Sequence, residues 1–452
     1  MSVDGSLLRA VGVLALSLQI GWVPAVQADD LLGVARRAQA HDATYLAARR
    51  TLEAATERPI QARGGMLPAA HLTASASRQS GQASFADADP VDRKVRNRGW
   101  SVQVTQPLWR PANLAGWRHA EAQLEQAREQ FRQAEQDLLL RVAQAYLDVL
   151  VAQEGRRAAK SYRAAVEHQL ALATRNFDVG TGAITDVHEA QARRDAARAQ
   201  GVAAHNEVEL RTAELERLLG ASPGTLHLLN PSAELPPPPA GELQRWLDSA
   251  REDHPAVRIQ RTALEVARAE VERQRAGHSP TLDLTASYGP TRASGSMSSP
   301  ADIASHVRSA QVGVNFTMPL YAGGAVQSRV REALAMSEKA EEELEAAKRL
   351  ASTQARQAHA GVLNGLAQVD ALASAVQSSE AALASNRVGY RIGTRINTDV
   401  LNAEQQLHAA QRDWHKARVD TLMNGLRLKA AIGELSELDL ASINALLMPP
   451  LP

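Results

Sequence analysis

His188-Glu189 is as near as the chain comes to a metallohydrolase motif. That chemistry needs a second histidine one helical turn later, so that both imidazoles reach one metal ion; Ala192 stands there instead. Gly180-Thr-Gly182 begins like a dinucleotide fingerprint, but the third glycine and the preceding strand are missing. There is no phosphate-binding P-loop and no nucleophile elbow, and the 13 histidines are scattered. The chain has no cysteine, which excludes disulfides, thiolate metal sites and a lipid-modified N-terminal cysteine. No catalytic residue, metal or cofactor is expected. Formal net charge is zero, so no nucleic-acid partner is expected either. The polar residues that recur suit helix ends. Gly180 and Gly393 fit helix C-termini that need a left-handed residue. Thr185-Asp186 and Thr398-Asp399 fit the starts of the next helices, as caps or as acids favoured by the helix dipole.

Those residues belong to a duplication. FDVGTGAITDVHEA (Phe177 to Ala190) answers YRIGTRINTDVLNA (Tyr390 to Ala403). PAAHLTAS (Pro68 to Ser75) answers PTLDLTAS (Pro280 to Ser287), and WSVQVTQPLW (Trp100 to Trp109) answers VGVNFTMPLY (Val312 to Tyr321). Upstream, Ala43 answers Pro255. An offset held near 212 positions means two tandem copies of one unit. Each copy predicts one very long helix, over 111–177 and 325–387, with apolar residues such as Leu124, Ala127, Phe131 and Leu138 at three- and four-residue steps. Each would reach about 95 Å. The helices expected at 31–63, 186–219, 242–276 and 399–432 are about half that length, so two of them stacked end to end would flank one long helix. Pro59 is expected to kink the first, and Gly64-Gly65 to end it. Aromatics make up only 4% of the chain, and alanine-rich surfaces imply close, coiled-coil-like packing.

The remaining segments alternate with period two, as half-buried strands do. Strands are expected at about 68–80, 97–109, 280–290 and 308–321. Leu72, Trp100, Val102 and Val104 fall on one side; Thr73, Ser101, Gln103 and Thr105 fall on the other. The polar stretches 81–97 and 289–305 are expected to be hairpin loops. Pro68 and Pro280 would begin strands, and Pro107 and Pro319 would end them, at the junction with the helices; ordinary strand-edge prolines would look the same. Alternation fits a soluble antiparallel sheet or a membrane barrel. Four strands cannot close a barrel, and an open edge does not survive in lipid. Three chains would give twelve strands, an even number with room for a wet lumen. Trp100 and Trp109 would lie about 30 Å apart along a strand and bracket a bilayer.

The helix–strand–strand–helix–helix plan, PTLDLTAS, PLYAGG (Pro319 to Gly324) and VGYRIGTRINTDVLNAE (Val388 to Glu404) resemble the TolC family of outer-membrane export channels over essentially the whole mature chain. The resemblance implies a mainly α fold with a small β part. Tandem long helical hairpins with four strands per chain would trimerise to a 12-stranded β-barrel on an α-helical barrel. It implies a homotrimer among outer-membrane lipids that docks on an inner-membrane ABC transporter through a periplasmic adaptor. Such a channel exports a protein cargo (type I secretion, here of an RTX-type toxin) or small molecules, and is not an enzyme. Carried over residue by residue, it also implies a latch at the periplasmic tip, from Thr185 and Asp186 on one hairpin and Tyr390 and Arg395 on the other. An exposed Arg–carboxylate pair suits a latch, being directional but only modestly stabilising. Asp399 matches the first acidic ring of the family's constriction, and Asn402 stands where a second acid would be. One ring of carboxylates is therefore expected.

The copies imply five segments. Residues 1–28 read as a cleaved export signal, with Arg9 before an apolar run and Val26-Gln27-Ala28 before the cut. The first repeat is 29–220, a Pro-rich linker 221–241, the second repeat 242–433, and the tail 434–452 lies with the linker in an equatorial band. Two other readings stay open: a multidrug efflux channel, and a trimeric coiled-coil scaffold or adhesin. The missing cysteine leans toward protein secretion.

Overall fold

The computed structural model describes residues 29–85, 89–237 and 243–449; the expected signal peptide at 1–28 lies outside them. The chain begins α1 (Leu31–His41), α2 (Ala43–Gly64), β1 (Ala69–Ala83), β2 (Val91–Trp109), α3 (Pro111–Asp178) and α4 (Ile184–Leu219), followed by the short β3 (Leu228–Leu229). The order then recurs as α5 (Leu243–Asp253), α6 (Pro255–Arg275), β4 (Thr281–Ala293), β5 (Ser305–Thr317), α7 (Ala325–Arg391) and α8 (Asn397–Ala431). α9 (Glu437–Asn444) and β6 (Leu447–Met448) follow.

α3 has 68 residues and α7 has 67, about 100 Å each. α2 and α4 pack on α3, while α5, α6 and α8 pack on α7. Where one helix was expected at 31–63 there are two. Asp42 interrupts them, its carboxylate accepting from the Tyr45 amide at 2.7 Å. The same break separates α5 from α6, where His254 Nδ1 accepts from the Ala256 amide at 3.1 Å. A side chain that satisfies the first free amides makes a new helix start there. Pro59 lies inside α2 without ending it.

The sheet is antiparallel in the order β1-β2-β4-β5. Toward their hairpin ends its strands outrun the expected ones, whereas β5 stops at Thr317, short of the expected end at 321. β1 and β2 stay paired from Ala69↔Thr105 to Ala83↔Val91, so most of 81–97 is strand and not loop. Their outer residues are arginine, serine and glutamine, which hide the period-two signal without preventing backbone pairing. Nor does Pro107 end β2. The strand runs on to Trp109 through a bulge between Pro107 and Trp109, a place where a residue without an N–H is tolerated. The extra residue sets Trp109 opposite Leu282. Residues directly opposed share a face. The pairs Leu72↔Val102, Val102↔Tyr288, Ala286↔Val312 and Leu282↔Phe316 therefore build one apolar face, which Trp100 and Trp109 both join. Thr73↔Ser101, Gln103↔Ser287 and Thr105↔Thr285 build a polar one. The apolar face is uncovered: Leu72 is 71% exposed, Val312 75% and Phe316 62%. The outer edges of β1 and β5 pair with no other strand among the described residues.

The thickest core lies midway along α3. Leu31 and Val34 of α1, Leu138 and Val142 of α3, Leu219 of α4 and Leu426 of α8 are buried together. The segment after α4 and the C-terminal segment meet here, β3 pairing with β6 through Leu228↔Met448 and Leu229↔Leu447. Two large polar side chains fasten that belt. Tyr146, fully buried, donates its hydroxyl to the carbonyls of His227 (3.0 Å) and Asp29 (3.2 Å). Arg418, 2% exposed, donates to the carbonyls of Asn230 (2.8 Å) and Ala233 (2.9 Å) and lies over the Trp414 ring.

Candidate functional site

About 100 Å from the sheet, two turns join the long helices to α4 and α8. Both close alike. The Gly180 amide donates to the Phe177 carbonyl and the Thr181 amide to that of Asn176; Gly393 and Thr394 repeat this with Tyr390 and Gly389. This paired closure needs a left-handed residue after the helix. Gly180 (φ 77°) and Gly393 (φ 79°) supply it. The extended residues at the ends of these turns are Ala183 and Ile396, so α4 and α8 start before Thr185 and Thr398. The expected caps are thus not formed: no side chain caps either helix. Asp186 and Asp399 do lie in the first turns, where the helix dipole favours a carboxylate.

Within one chain, Thr185, Asp186, Tyr390 and Arg395 make no hydrogen bond or ion pair with one another among the described residues. Tyr390 Oη accepts from Asn176 Nδ2 at 3.2 Å. Arg395 Nη1, in the turn before α8, lies 3.6 Å from Asp399 Oδ2 in the first turn of that helix. The Asp186 carbonyl accepts from Asn397 Nδ2 at 3.3 Å, and Thr185 is exposed. Asn402, expected at the constriction, accepts from Arg193 Nη2 at 2.8 Å, while Arg193 Nη1 donates to Gln405 at 2.6 Å.

The hairpins are joined mostly by residues the sequence did not mark. Asn397 is fully buried and accepts from Gln169 of α3. Thr398 Oγ1 donates to Glu189 at 2.6 Å. One signal was present: Asn397 answers Ile184 in the repeat, an apolar position turned polar in the copy that needs a partner. Deeper in, Arg387 pairs with the buried carboxylate of Glu404. His408 Nε2 lies 3.9 Å from that carboxylate, its ring edge-on to Tyr162 with centroids 5.3 Å apart. Burial pulls the His408 imidazole below its usual range, against the pull of Glu404 and with that of Arg387.

At the opposite end, Pro68 and Pro280 directly precede β1 and β4, Pro107 sits at the bulge, and Pro319 follows β5. All four lie where sheet gives way to helix. Asp283, buried in β4, accepts both arms of Arg110 at 2.8 and 2.6 Å. That bidentate pair fixes the entry of α3 to the sheet.

The family model for outer membrane efflux proteins matches this chain twice, over residues 34–221 and 246–434. The chain belongs to the outer membrane efflux protein family. This efflux protein is 31% identical over 426 residues to the proteases secretion protein PrtF of Dickeya chrysanthemi, covering 93% of this chain and 91% of that one. It is 30% identical over 450 residues to the outer membrane protein TolC of Escherichia coli, covering 97% and 89%. The solved outer membrane channel CmeC of Campylobacter jejuni has the same fold: TM-score 0.76, 17% identity, 99% and 98% covered. The efflux protein is an outer-membrane channel of the TolC family whose helices extend into the periplasm.

Proposed function

We propose that three copies of this chain close a twelve-stranded barrel and a helical tunnel beneath it, through which a protein cargo leaves the cell by type I secretion. The observation that carries the trimer is the open sheet of four strands: two unpaired edges and an uncovered apolar face. In hydrocarbon such edges must pair, and β5 of one chain with β1 of the next closes the ring without a free edge. The bulge supports the same reading. Trp109 and Phe316 stand at one end of the apolar face, and Trp100 and Tyr288 at the other, their rings 6.0 Å apart. Trp100 stands about 27 Å from Trp109 along β2 once the bulge is allowed for, and Tyr288 about 20 Å from the level of Phe316 along β4, separations that bracket the ~25 Å apolar band between aromatic girdles. A coiled-coil scaffold or adhesin has no use for that face.

In this reading residues 1–28 are a cleaved signal, 29–220 and 242–433 the two repeats, and 221–241 with 434–452 the equatorial band. The partners are a periplasmic adaptor and an inner-membrane ABC transporter. Thr185, Asp186, Tyr390 and Arg395 latch neighbouring subunits at the tip, and Asp399 forms one acidic ring there. Likeness to a proteases secretion protein and the absence of cysteine favour protein cargo of the RTX-toxin type; efflux of small molecules is the second reading, favoured by the family description.

Deleting the gene tests both. The expected result in the deletion strain is loss of one secreted protein, retained inside the cell, with unchanged drug sensitivity; in cells that keep the gene, the channel itself is expected in the outer-membrane fraction as a heat-modifiable trimer. Drug hypersensitivity with intact secretion selects the second reading; a soluble, detergent-independent protein overturns the channel.

A further inference from the structure

We propose that the outer face of the sheet, just beyond the Trp100–Tyr288 girdle, binds phosphorylated lipid headgroups of the outer leaflet through a belt of arginines. The strands continue well past the girdle, β2 by nine more residues to Val91. Register fixes which side chains share the apolar, outward face there. Trp100 is opposite Ala74, so Arg98, Arg96 and Lys94 continue its face on β2, with Arg78 opposite Arg96 on β1. Arg292 of β4 is opposite Arg98, and Arg308 of β5 is opposite Pro290, two residues beyond Tyr288. The six side chains are exposed and make no ion pair or hydrogen bond among the described residues. On this face the four strands carry a single carboxylate, Asp92.

Like charges directly opposed across strands destabilise a sheet. Arg78↔Arg96 and Arg98↔Arg292 are two such pairs. The arrangement costs stability unless anions sit between the guanidiniums. Arg98 stands about 7 Å beyond Trp100, at the height where a girdle gives way to headgroups. Guanidinium recognises phosphate bidentately, and rows of Arg on adjacent strands suit a ligand with more than one phosphate. A free anion would gain nothing from the girdle; a lipid gains both contacts at once. The partner is therefore a phosphorylated lipid whose acyl chains lie against Val102, Tyr288 and Val312.

This inference rests on the barrel reading, since it takes the apolar face to meet lipid. The test uses full-length protein purified in detergent, followed by native mass spectrometry and thermal unfolding. The probes are diphosphorylated lipid A, its dephosphorylated form, and inorganic phosphate. The wild type is expected to retain the diphosphorylated lipid and to be stabilised by it alone. Arg98→Gln/Arg292→Gln and, separately, Arg78→Gln/Arg96→Gln should weaken binding at least about ten-fold, with lipid-free melting unchanged or higher. Equal retention by wild type and both variants overturns the proposal, as does equal stabilisation by inorganic phosphate. Heat-modifiable migration is read on the same samples. An intact trimer that binds no lipid defeats the belt alone; loss of that trimer in the wild type defeats the barrel beneath it.

Discussion

The equator and the tip are built from the same helices and held by opposite means. At the equator α1, α3, α4, α8 and α9 bury leucines against one another, and the polar groups that enter, Tyr146 and Arg418, each meet backbone carbonyls. At the tip the shared core is small, much of it alanine such as Ala173, Ala190 and Ala197. What joins the hairpins there is side chain to side chain: Arg193 with Asn402 and Gln405, Thr398 with Glu189, Asn176 with Tyr390. Apolar burial is non-directional and loses free energy steadily with area exposed. Exposed polar pairs are worth little singly and exchange partners with water at small cost. The first arrangement fixes a waist; the second permits two states at an end.

Substitutions at the waist should therefore cost most. Leu219→Ala removes a side chain 1% exposed in the main cluster and is expected to cost about 2–5 kcal/mol in denaturant unfolding. A loss below about 1 kcal/mol there would mean that the waist is not what holds the chain. Arg418→Leu keeps the volume but strands the carbonyls of Asn230 and Ala233, at about 1–3 kcal/mol. Hydrogen exchange should rise at residues 228–233 and stay unchanged at the tip.

The same contrast decides what the sequence could reveal. The duplication, the long helices, the strands and the turn glycines are all set by local pattern: a repeat offset, a 3.6 or 2 period, a left-handed residue at a helix end. The breaks at Asp42 and His254 were harder to see, because one side chain accepting one amide leaves the apolar stripe almost undisturbed. The outer halves of β1 and β2 were missed because backbone pairing continued where side-chain alternation had stopped. At the tip, Gly180 and Gly393 were legible and the network was not. Arg193 meets Asn402 from 209 positions away, and nothing in the local sequence of α4 marks this arginine among its neighbours Arg194 and Arg198.

At the tip the expected stability changes are small and the functional ones are not. Arg395→Ser removes the partner of Asp399, and Arg193→Ala removes the donor to Asn402 and Gln405. Each should lower stability by less than about 1 kcal/mol. Each should raise single-channel conductance in planar bilayers, as should Asp186→Ala. Unchanged conductance in Asp186→Ala and Arg395→Ser would remove the latch. A rise in Arg193→Ala alone would move it to the contacts seen within one chain.

Acid should act on the same region more weakly. His408 is half-buried between Tyr162, Glu404 and Arg387, and desolvation there holds its imidazole below the usual histidine range. An unfolded or opened segment would take up a proton near pH 6.5, before the packed histidine does. Below that pH the open form binds more protons, so the packed form loses stability as pH falls. Conductance is expected to rise modestly from pH 7.5 to pH 5, and His408→Gln should flatten that rise. His254 and His415, also lowered by burial, lie nearer the waist, so global unfolding should keep its acid slope in the variant. If His408→Gln leaves the pH dependence of conductance intact, the acid response belongs to the waist, and the two ends of the helices are coupled more tightly than their packing implies.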